Sequence, residues 1–423
     1  MATMPTLSKT VTRDPGDSAG WLKSARYRLA IGIEKIVSTA WITRPIFNLL
    51  RIWHPIVLVR GKAIVTKYRD VRAVLADTDH FDVNYPKAGP DQIVGMADTP
   101  EYRRLKTMLM SGLGTNFQSD LETIVDKCAR KILPTTSKPF DAVSEYSRVI
   151  AIDLTDSYLG IPANPDDMKR WTRTILRDVF LNMLNDPTMA AEADLSRGEL
   201  NRHVDALIAA TNANLNAGRQ PPDNFFGRLF THARQKGASD DTIRNLIAGL
   251  VTALADNISN SIARSMKYLL DNPVQLKGAA NAAKANNTDL LRHYIFEALR
   301  FNPETPLLFR CCTKAATLAS LTSRTTTIPA GTLVVAALEG AMFDGEPDAF
   351  PDAKTFSTKR PLDDYLHFGW GMHRCFGRGV AEAVLPAAVG ALLRLPNLRR
   401  VKGLEGRVTY DGAFPKRMLV EFE

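Results

Sequence analysis

One cysteine of this sequence stands in a segment whose composition suits metal chemistry. Residues 368–377 have the sequence FGWGMHRCFG and contain Cys375 among three glycines. Glycines allow turns and close approaches that a side chain would block, and His373 and Arg374 are expected to place positive charge beside the sulfur. A helical pattern follows at once, and the dipole of that helix is expected to lower the pKa of the Cys375 thiol further. The segment predicts an accessible, electron-rich sulfur that can bind a soft metal.

Seven positions of this segment, which we call the cysteine loop, fit the haem-ligand loop of the cytochrome P450 family, and the chain resembles that family through them. They are Phe368, Gly369, Gly371, His373, Arg374, Cys375 and Gly377. The resemblance implies that Cys375 is the proximal thiolate ligand of a haem b iron and that Phe368, Gly369 and His373 contact the cofactor. No CxxCH sequence is present, so the haem is expected to be held through iron and packing and not through thioether links.

Two other interpretations fit the cysteine loop less well. A buried structural cysteine in a glycine-rich turn is common among cysteines in general, but it does not require seven matching positions. A dinucleotide-binding loop needs a third glycine where Arg374 stands, and it needs a preceding strand that the sequence does not show.

A charged pair is expected to support the loop. Glu297 and Arg300 lie three residues apart in a predicted helix that ends before Pro303, so they share one face and can form an ion pair. An isolated pair of this kind is common and stabilises little. Here it resembles the ExxR motif of the same family, and Arg360 stands where that family has a third, arginine member. The resemblance implies a buried network behind the cysteine loop, so that losing one charge would cost haem retention.

Four residues are expected to bind the haem propionates, which are anions and need cations or hydrogen-bond donors. Arg310 matches the propionate arginine of the family. Tyr102 and Lys106 stand one helical turn apart where the family commonly has His and Arg, and Tyr365 stands where histidine is frequent. These departures keep donors available but replace forked contacts with single ones.

A long helix, predicted over about residues 240–271, is expected to cover the distal face of the haem. Counting back from its LLDNP end, as the family ends this helix with a similar turn, places Ala253, Asp256 and Asn257 over the iron. The family has an acid followed by threonine there, so Asp256 keeps the acid and Asn257 replaces the alcohol. An amide can still donate a hydrogen bond and hold a water, and the resemblance implies catalytic roles for both residues. Alternatively, Asn257 only satisfies a distorted helical turn, or the alignment is off by one.

Three hypotheses about function stay open at this point. In the first, a partner supplies electrons, and Asp256 with a water on Asn257 supplies protons, so that dioxygen is cleaved and an organic substrate is hydroxylated. In the second, the oxidant is a peroxide or the substrate is a fatty-acid hydroperoxide; relatives that isomerise such compounds carry asparagine over the haem. In the third, the chain is a non-catalytic haem-binding sensor. The first is favoured because Asp256 and a basic proximal surface would have no role in the second.

The expected substrate-binding residues are mainly apolar. A long loop follows Asp82, and such loops in compact enzymes tend to carry binding residues. The resemblance implies substrate contacts from this loop, from helix faces and from the stretch after Pro306: Tyr85, Phe180, Ala253, Leu307 and Leu308. These walls predict a small lipophilic organic substrate.

The net charge of +9 and the pI near 9.3 predict a partner with an acidic surface. By resemblance, this partner is an electron donor such as an acidic ferredoxin with its reductase, docking over Arg374, Arg378 and Lys106. Basic residues do not cluster with aromatic ones, so nucleic-acid binding is not expected. The four cysteines lack the density of a secreted scaffold and the spacing of a zinc site, which favours a reducing compartment, the cytoplasm.

The sequence predicts no transmembrane span, because no apolar run is long enough. Residues 1–20 are polar, lack the pattern of a secretory signal and are predicted to be disordered. The segment 21–53 mixes Lys and Arg with Ile, Leu and Val. It is expected to form an amphipathic helix that either touches a membrane surface or packs on the body of the protein.

The remaining pattern predicts a mainly α chain with a small β region. Two short β-rich runs follow Pro55 and lead into a helix at Tyr68. Helix formers dominate residues 99–297, and β-leaning stretches follow Pro306 and close the chain. Residues 21–423 are expected to form a single domain. The resemblance implies the cytochrome P450 fold, a triangular helical prism with haem between the long helix and the cysteine loop.

Overall fold

The computed structural model describes residues 25–89, 91–134, 138–319 and 322–423. Within them the chain is mainly helical with four small sheets, which agrees with the predicted fold class. The predicted disorder of residues 1–20 and the first residues of the lead segment lie outside the described residues.

Fourteen α-helices lie in the described part of the chain. They are α1 (Ala25–Val37), α2 (Ala40–Trp53), α3 (Tyr68–Ala76), α4 (Pro100–Gly112), α5 (Phe117–Ile132), α6 (Arg148–Ser157), α7 (Pro165–Phe180), α8 (Pro187–Asn216), α9 (Phe225–Gln235), α10 (Asp240–Asp271), α11 (Pro273–Lys284), α12 (Thr288–Phe301), α13 (Leu338–Ala341) and α14 (Arg378–Leu393). The region predicted to be helical, 99–297, contains α4 to α11 and most of α12.

Twelve β-strands lie in the same ranges. They are β1 (Ile56–Val59), β2 (Lys62–Val65), β3 (Phe81–Val83), β4 (Phe140–Asp141), β5 (Leu308–Cys312), β6 (Ala316–Leu318), β7 (Thr326–Ile328), β8 (Leu333–Ala336), β9 (Arg399–Arg400), β10 (Thr409–Asp411), β11 (Phe414–Arg417) and β12 (Leu419–Glu421). The largest sheet has the order β1-β2-β8-β5-β3, with β2 and β8 parallel and the other neighbours antiparallel. The smaller sheets are β4-β12-β9, β10-β11 and β6-β7.

The long helix α10 occupies the predicted span and forms the centre of the helical body. Its N-terminus is capped by Ser239, whose hydroxyl accepts a hydrogen bond from the amide of Thr242. Most of its residues are buried, because it packs against α6, α7, α8 and α12. Contrary to the prediction of no such segment, α10 is long and apolar enough to cross a membrane, yet 67% of its most apolar window is buried inside the protein. α10 is therefore a core helix of the protein.

The cysteine loop is anchored by the two elements that follow and precede it. α14 begins three residues after Cys375, is buried along most of its length and packs against α5 and α12. The other anchor is α12, which carries Glu297 and Arg300 on its buried side.

The lead segment forms two helices and not one. α1 ends at Val37, and α2 begins at Ala40 after Thr39, whose backbone is extended. α1 packs through Tyr27 and Ala30 against the start of α8, and α2 contacts α13 and β1.

Candidate active site

Backbone contacts hold the cysteine loop and bring Cys375 to the start of α14. The amide of Cys375 donates to the carbonyl of Phe368 at 2.9 Å, and the amide of Arg378 donates to the carbonyl of Cys375 at 3.4 Å. Gly371 has a φ of +73°, and a Cβ there would lie 2.8 Å from the carbonyl oxygen of Leu75. Only glycine fits where the loop passes the end of α3. The side chain of Cys375 is left accessible.

The neighbours of Cys375 do not act on its sulfur as the sequence predicted. The thiol is accessible yet lies deep in the protein, and this burial raises its pKa; the amide of Gly377 and the charge of Lys106 offset the rise only in part. Burial, and then the charge of Arg310, lowers the pKa of His373 to about 4, so its ring is neutral at pH 7. The predicted lowering of the thiol pKa is therefore wrong for the protein alone. A bound metal ion deprotonates a coordinating thiol outright, and this would supply the thiolate.

Arg374 is also directed away from the sulfur. Its Nη2 donates to Asp363 at 3.3 Å, and its guanidinium lies 5.3 Å from the centre of the Trp370 ring. Arg378 donates to the same Asp363 at 2.5 Å and to Glu382 at 2.6 Å. These two cations of the predicted partner surface are thus partly neutralised by carboxylates.

Donors without partners mark one edge of the site. Arg310 is 3% exposed, and its Nε has no hydrogen-bond partner among the described residues. The Nε2 of His373 is buried and likewise unpaired in that part of the chain, and the charge of Arg310 acts on the His373 ring, so the two lie close together. Buried polar atoms without partners cost free energy, and an anion at this edge would satisfy Arg310 together with His373 in the neutral tautomer that carries its proton on Nε2.

Tyr102 and Lys106 flank that edge. They lie one turn apart on α4, and both donate to the carbonyl of Met372, at 3.2 Å and 2.5 Å. The ring of Tyr102 packs on His373 with 4.7 Å between the ring centres. Both residues therefore hold the cysteine loop, and their role as propionate ligands stays a prediction.

Tyr365 lies elsewhere than predicted and joins the buried charge network. It is 1% exposed, and its hydroxyl donates to Oε2 of Glu297 at 2.7 Å, so it supports the loop and is not a donor at the propionate edge. Arg300 donates twice to Glu297, at 2.9 Å and 2.6 Å, and the Nε of Arg360 lies 3.5 Å from it. Burial opposes ionisation of Glu297, but Arg300 and Tyr365 outweigh burial and lower its pKa. The predicted three-residue network forms, with a tyrosine as its fourth member.

The same arginines fix the chain that leads from α13 to the cysteine loop. Arg300 donates to the carbonyls of Met342 at 3.1 Å and Ala353 at 2.7 Å. Arg360 donates to the carbonyls of Pro351 at 2.8 Å and Asp352 at 3.0 Å. Loss of the Arg300 guanidinium would leave the carbonyls of the buried residues Met342 and Ala353 unpaired, whereas the carbonyls that Arg360 holds belong to exposed residues.

α10 presents one accessible stripe on an otherwise buried stretch. Ala253 and Asn257 are exposed and Ser261 is partly exposed, whereas the residues between them are buried. The spacing of four residues places all three on one face, which we call the distal stripe. The predicted pair Ala253 and Asn257 therefore faces open space, whereas Asp256 lies on another face of the helix.

Asp256 points from α10 to α7. Arg173 donates to its Oδ1 from Nε at 3.0 Å and from Nη2 at 2.6 Å, and the hydroxyl of Thr172 donates to Oδ2 at 3.3 Å. Burial opposes ionisation, but the charge and hydrogen bonds of Arg173 outweigh it and lower the pKa of Asp256. Asp256 is thus an ion-paired carboxylate, and it can donate a proton only after this pair opens.

Four of the five predicted substrate residues lie in or near β5, and Ala253 lies on α10. The rings of Tyr85 and Phe180 pack at a tilt of 60° with 4.9 Å between their centres, and a backbone amide of β5 lies 3.4 Å from the Tyr85 hydroxyl. A Cβ on Gly369 would lie 3.3 Å from Leu308, so Leu308 packs against the cysteine loop. Leu307 precedes it and is partly buried.

Glu304 was not predicted as a site residue, although a lone acid between two prolines in NPETP is an available signal in the sequence. Glu304 follows α12 and accepts a hydrogen bond from the hydroxyl of Ser261 at 2.5 Å. Its Oε1 is buried without a hydrogen-bond partner among the described residues. Burial raises the pKa of Glu304 to about 7, so an acid that is partly neutral at pH 7 lies beside the distal stripe.

The family model for cytochrome P450 matches residues 179–399, slightly more than half of the 423-residue chain. This chain belongs to the cytochrome P450 family. Family membership makes it a haem-thiolate monooxygenase, an oxidoreductase that uses an organic substrate, dioxygen and electrons from a redox partner.

Similarity to known P450 enzymes confirms the family membership. It is 24% identical over 351 residues to the mycinamicin IV hydroxylase/epoxidase of Micromonospora griseorubida, covering 79% of this chain and 82% of that protein. It is 24% identical over 361 residues to the vitamin D(3) 25-hydroxylase of Pseudonocardia autotrophica, covering 81% and 82%. The crystal structure of CalO2 matches with a TM-score of 0.77 and 21% identity, covering 91% of this chain and 96% of that one. The structural match confirms the predicted P450 fold.

The described residues of this P450 fit a haem. Cys375 offers an accessible thiol, which is a ligand for iron. Arg310 and His373 offer buried unpaired donors at one edge, where the propionates need them. Ala253 and Asn257 leave space on α10, because neither carries a large apolar side chain.

Proposed function

We propose that this P450 binds haem b through Cys375 and inserts one oxygen atom of dioxygen into a lipophilic organic substrate. The observation that supports this most is the accessible thiol of Cys375, which shares its loop with His373, whose ring lies near the buried Arg310; Nε of Arg310 and Nε2 of His373 have no partner among the described residues. An iron porphyrin with two propionates needs this donor set. When bound, the haem supplies dioxygen activation, favoured by the electron density of the thiolate.

The residues in and around the cysteine loop have different proposed roles. Arg310 and His373 hold the propionates, and Tyr102 and Lys106 add a hydroxyl and an ammonium donor beside them. Phe368 and Gly369 form the surface against which the ring packs, and Gly369 has a φ of +68° that suits the close turn there. The network of Glu297, Arg300, Arg360 and Tyr365 holds this surface from behind, as support and not as a catalytic group.

On the distal side, we assign Asn257 and Asp256 different roles. Asn257 is exposed on the distal stripe, so its amide can donate to a water beside the reacting atoms. Asp256 is held by Arg173, and the proton-donating role predicted for it requires that this ion pair opens. Ala253 leaves room for the substrate on the same face.

The side chains near β5 that are proposed to contact the substrate favour a lipophilic molecule. Tyr85, Phe180, Leu307 and Leu308 present mainly apolar surface. The two relatives described above are named as a mycinamicin IV hydroxylase/epoxidase and a vitamin D(3) 25-hydroxylase, so those proteins act on organic molecules. We propose a substrate of similar lipophilic character.

The electron donor that we propose is an acidic ferredoxin with its reductase. Lys106, Arg374 and Arg378 lie beside the cysteine loop, although Asp363 and Glu382 partly neutralise the two arginines. We place the protein in the cytoplasm, because all four of its cysteines carry free thiols. We also propose a single domain over residues 21–423, which a large hydrophobic core cluster between Ala63 and Phe422, shared by sheets and helices, supports.

The experiment that tests the proposal compares Cys375→Ser with Cys311→Ser, a partly exposed cysteine in β5. Cys375→Ser should abolish the thiolate-specific red shift of the reduced carbonyl spectrum, and Cys311→Ser should leave it unchanged. A library of lipophilic compounds is then screened by the iron spin-state change, and each ligand is incubated with dioxygen and reduced ferredoxin. Product formed at the expense of both supports the proposal; a full haem complement that oxidises no ligand in this screen contradicts it.

A peroxide-dependent enzyme, including a hydroperoxide isomerase, is the second candidate. Asn257 and the ion-paired Asp256 favour it, because neither provides a ready proton for dioxygen chemistry. Turnover of a lipid hydroperoxide without any electron donor, and no product with dioxygen and reduced ferredoxin, would establish it in place of the monooxygenase.

A further inference from the structure

α2 turns its polar side chains inward. The hydroxyl of Thr43 donates to Glu339 at 2.5 Å, and Arg51 donates to the carbonyl of Gly340 at 2.8 Å, so the polar side of the helix packs on α13. Five large apolar side chains lie on the other side and are between 53% and 78% exposed: Trp41, Ile46, Leu49, Ile52 and Trp53. With 3.6 residues per turn, they fall within about 140° of arc. Phe47 is also buried on the inner side, but so many large apolar residues on the exposed side are not expected for a surface helix of a globular protein.

Neighbouring elements extend this apolar surface. Leu29 and Ile36 of α1 are 59% and 50% exposed, and Leu58 and Val59 of β1 are 39% and 56% exposed. Both elements contact α2. We call these nine residues the outer face. Contiguous exposed apolar surface of this kind marks an interaction site, whereas single exposed apolar residues do not.

Cations surround the outer face. Residues 25–62 contain seven Lys and Arg residues and one acid, Glu34, which is buried. Arg28, Lys35, Arg60 and Lys62 are exposed. A helical surface with large apolar residues and a basic border is typical of proteins that lie on anionic lipid.

Other occupants of the outer face fit less well. Residues 1–24 have no run of more than two apolar residues, so they offer little to cover it. A second copy of this chain would bring the same exposed cations against each other, which is repulsive. An anionic bilayer matches both the apolar area and the charge.

We propose that the outer face binds the surface of an anionic lipid bilayer, with Trp41 and Trp53 at the interface between headgroups and acyl chains. Tryptophan is enriched at that depth because its ring is amphipathic. The chain between α7 and α8 would then lie close to the membrane, because Arg26 of α1 donates to the carbonyl of Leu184 at 2.9 Å. A lipophilic substrate could then enter from the bilayer. That step depends on the proposed function, whereas membrane binding itself does not.

The test uses the ferric full-length protein without substrate, so its outcome is independent of turnover. Sucrose-loaded vesicles of three parts phosphatidylcholine to one part phosphatidylglycerol are sedimented with wild type and with the triple variant Trp41→Ser, Leu49→Ser and Ile52→Ser. The variant should lower the partition coefficient by about tenfold or more, because three large apolar side chains are removed. The matched control is Val274→Ser with Leu404→Ser, whose wild-type side chains are 80% and 73% exposed elsewhere on the surface; it should bind as wild type does.

Three results complete the test. Binding of the wild type should weaken in 0.5 M salt and on pure phosphatidylcholine, and the tryptophan emission should shift to the blue on vesicles. An unchanged carbonyl spectrum in the triple variant shows that it is folded. Equal binding of variant and wild type overturns the proposal, and so does a wild type that ignores vesicles but forms a dimer that the variant abolishes.

A second, independent observation concerns the proton supply. Asp256 is held by two hydrogen bonds from Arg173, whereas one oxygen of Glu304 is buried and has no hydrogen-bond partner among the described residues. Ser261, its 2.5 Å partner, is on the distal stripe one turn from Asn257. Glu304 is therefore the acid that reaches the accessible face of α10.

We infer that Glu304, acting through Ser261, supplies protons to the distal side. When Glu304 is protonated, its hydrogen bond with Ser261 reverses, so that the carboxyl proton passes to the Ser261 oxygen while the hydroxyl proton of Ser261 moves to the water proposed at Asn257; Glu304 is left as a carboxylate and regains a proton from solvent. This inference deepens the proposed function and rests on it.

The charged and polar groups around Glu304 agree with this role. Burial raises its pKa to about 7, while the hydrogen bond from Ser261, the charge of Arg264 and a hydrogen bond from Asn260 lower it, and Asp256 raises it slightly further. These four neighbours lie on α10, and Cys375 of the cysteine loop also interacts with the charge of Glu304. Glu304 can therefore be protonated and deprotonated near pH 7, whereas Asp256 stays charged.

The test compares Glu304→Gln and Glu304→Asp with the surface control Glu346→Gln. Infrared spectra of the ferric protein should contain a carboxyl band that titrates near pH 7 and is missing in Glu304→Gln alone. Glu304→Gln should also release more peroxide per electron consumed, and Glu304→Asp should partly restore coupling. A band that does not titrate between pH 6 and 8, or a Gln variant as well coupled as wild type, overturns the inference. Loss of the thiolate-type carbonyl spectrum in wild type would instead refute the proposed function.

Discussion

Arg173 donates two hydrogen bonds to one oxygen of Asp256, at 3.0 Å and 2.6 Å, and so ties α7 to the middle of α10. The same guanidinium lies 3.5 Å from Asp411 of β10, and its Cζ lies 3.9 Å from the centre of the Phe414 ring. α7 also carries Phe180, which packs on Tyr85 beside β5. A movement of α7 would therefore change both the substrate walls and the charge state of Asp256.

Arg173→Ala should destabilise the protein strongly. It leaves Asp256 as an unpaired buried charge, which typically costs about 3–5 kcal/mol in the free energy of unfolding. Arg170→Ala is the matched control on the same helix, because its partners Asp167 and Glu199 lie at the surface, and about 0–1 kcal/mol is expected. Urea unfolding measures both, and equal costs would show that burial does not set the strength of the Asp256 pair.

Glu297→Gln should cost both stability and haem retention. The substitution removes the charge that two arginines share in a fully buried site, and a loss of about 3–5 kcal/mol is expected. Glu101→Gln breaks a pair of the same spacing with Arg104 on an exposed face and should cost less than about 1 kcal/mol. The measurements are urea unfolding and the rate of haem transfer to an apo-globin. A Glu297 variant that keeps haem as long as the Glu101 variant would remove the network from cofactor retention.

Gly371→Ala should disrupt the cysteine loop through a steric clash with the end of α3, in addition to backbone strain. Gly371 and Gly403 have similar φ values of +73° and +78°, but a Cβ on Gly371 meets Leu75 and Ala76, whereas one on Gly403 meets no atom of the described residues within 4 Å. Gly403→Ala therefore isolates the strain, about 1–2 kcal/mol. Gly371→Ala should exceed that cost and lower the haem content after purification. Equal effects of the two substitutions would show that the contact with α3 does not matter.

Glu34→Gln should change how the melting temperature depends on pH. Burial, opposed in part by Arg177, raises the pKa of Glu34 from 4.5 to about 7. The folded chain therefore holds this proton more tightly than the unfolded chain, so the contribution of Glu34 to stability falls as the pH rises from about 4.5 through 7. Glutamine has no proton to lose, so the variant should gain melting temperature relative to wild type at pH 8 compared with pH 5. Thermal unfolding by circular dichroism at both values checks this, and a pH-independent difference would contradict the raised pKa.

The sequence by itself determined the family, the order of the elements and the residues of the cysteine loop. These features are local: the loop motif is contiguous, Glu297 and Arg300 are three residues apart, and the span of α10 follows from apolar spacing and a terminal proline. The face of α10 on which Ala253 and Asn257 lie was also predictable, because helical geometry fixes it.

Only the tertiary structure decided the electrostatics and the outward side of α2. Arg173 and Asp256 are 83 residues apart, and Tyr365 and Glu297 are 68 apart, so neither pair leaves a signal at short range. The raised pKa of the Cys375 thiol and the neutral ring of His373 follow from burial, which a residue type does not encode. An amphipathic pattern defines two sides of a helix, but packing against the rest of the chain decides which side meets solvent. In α2 that choice places Trp41 and Trp53 outside, because Thr43 and Arg51 find their hydrogen-bond partners on α13.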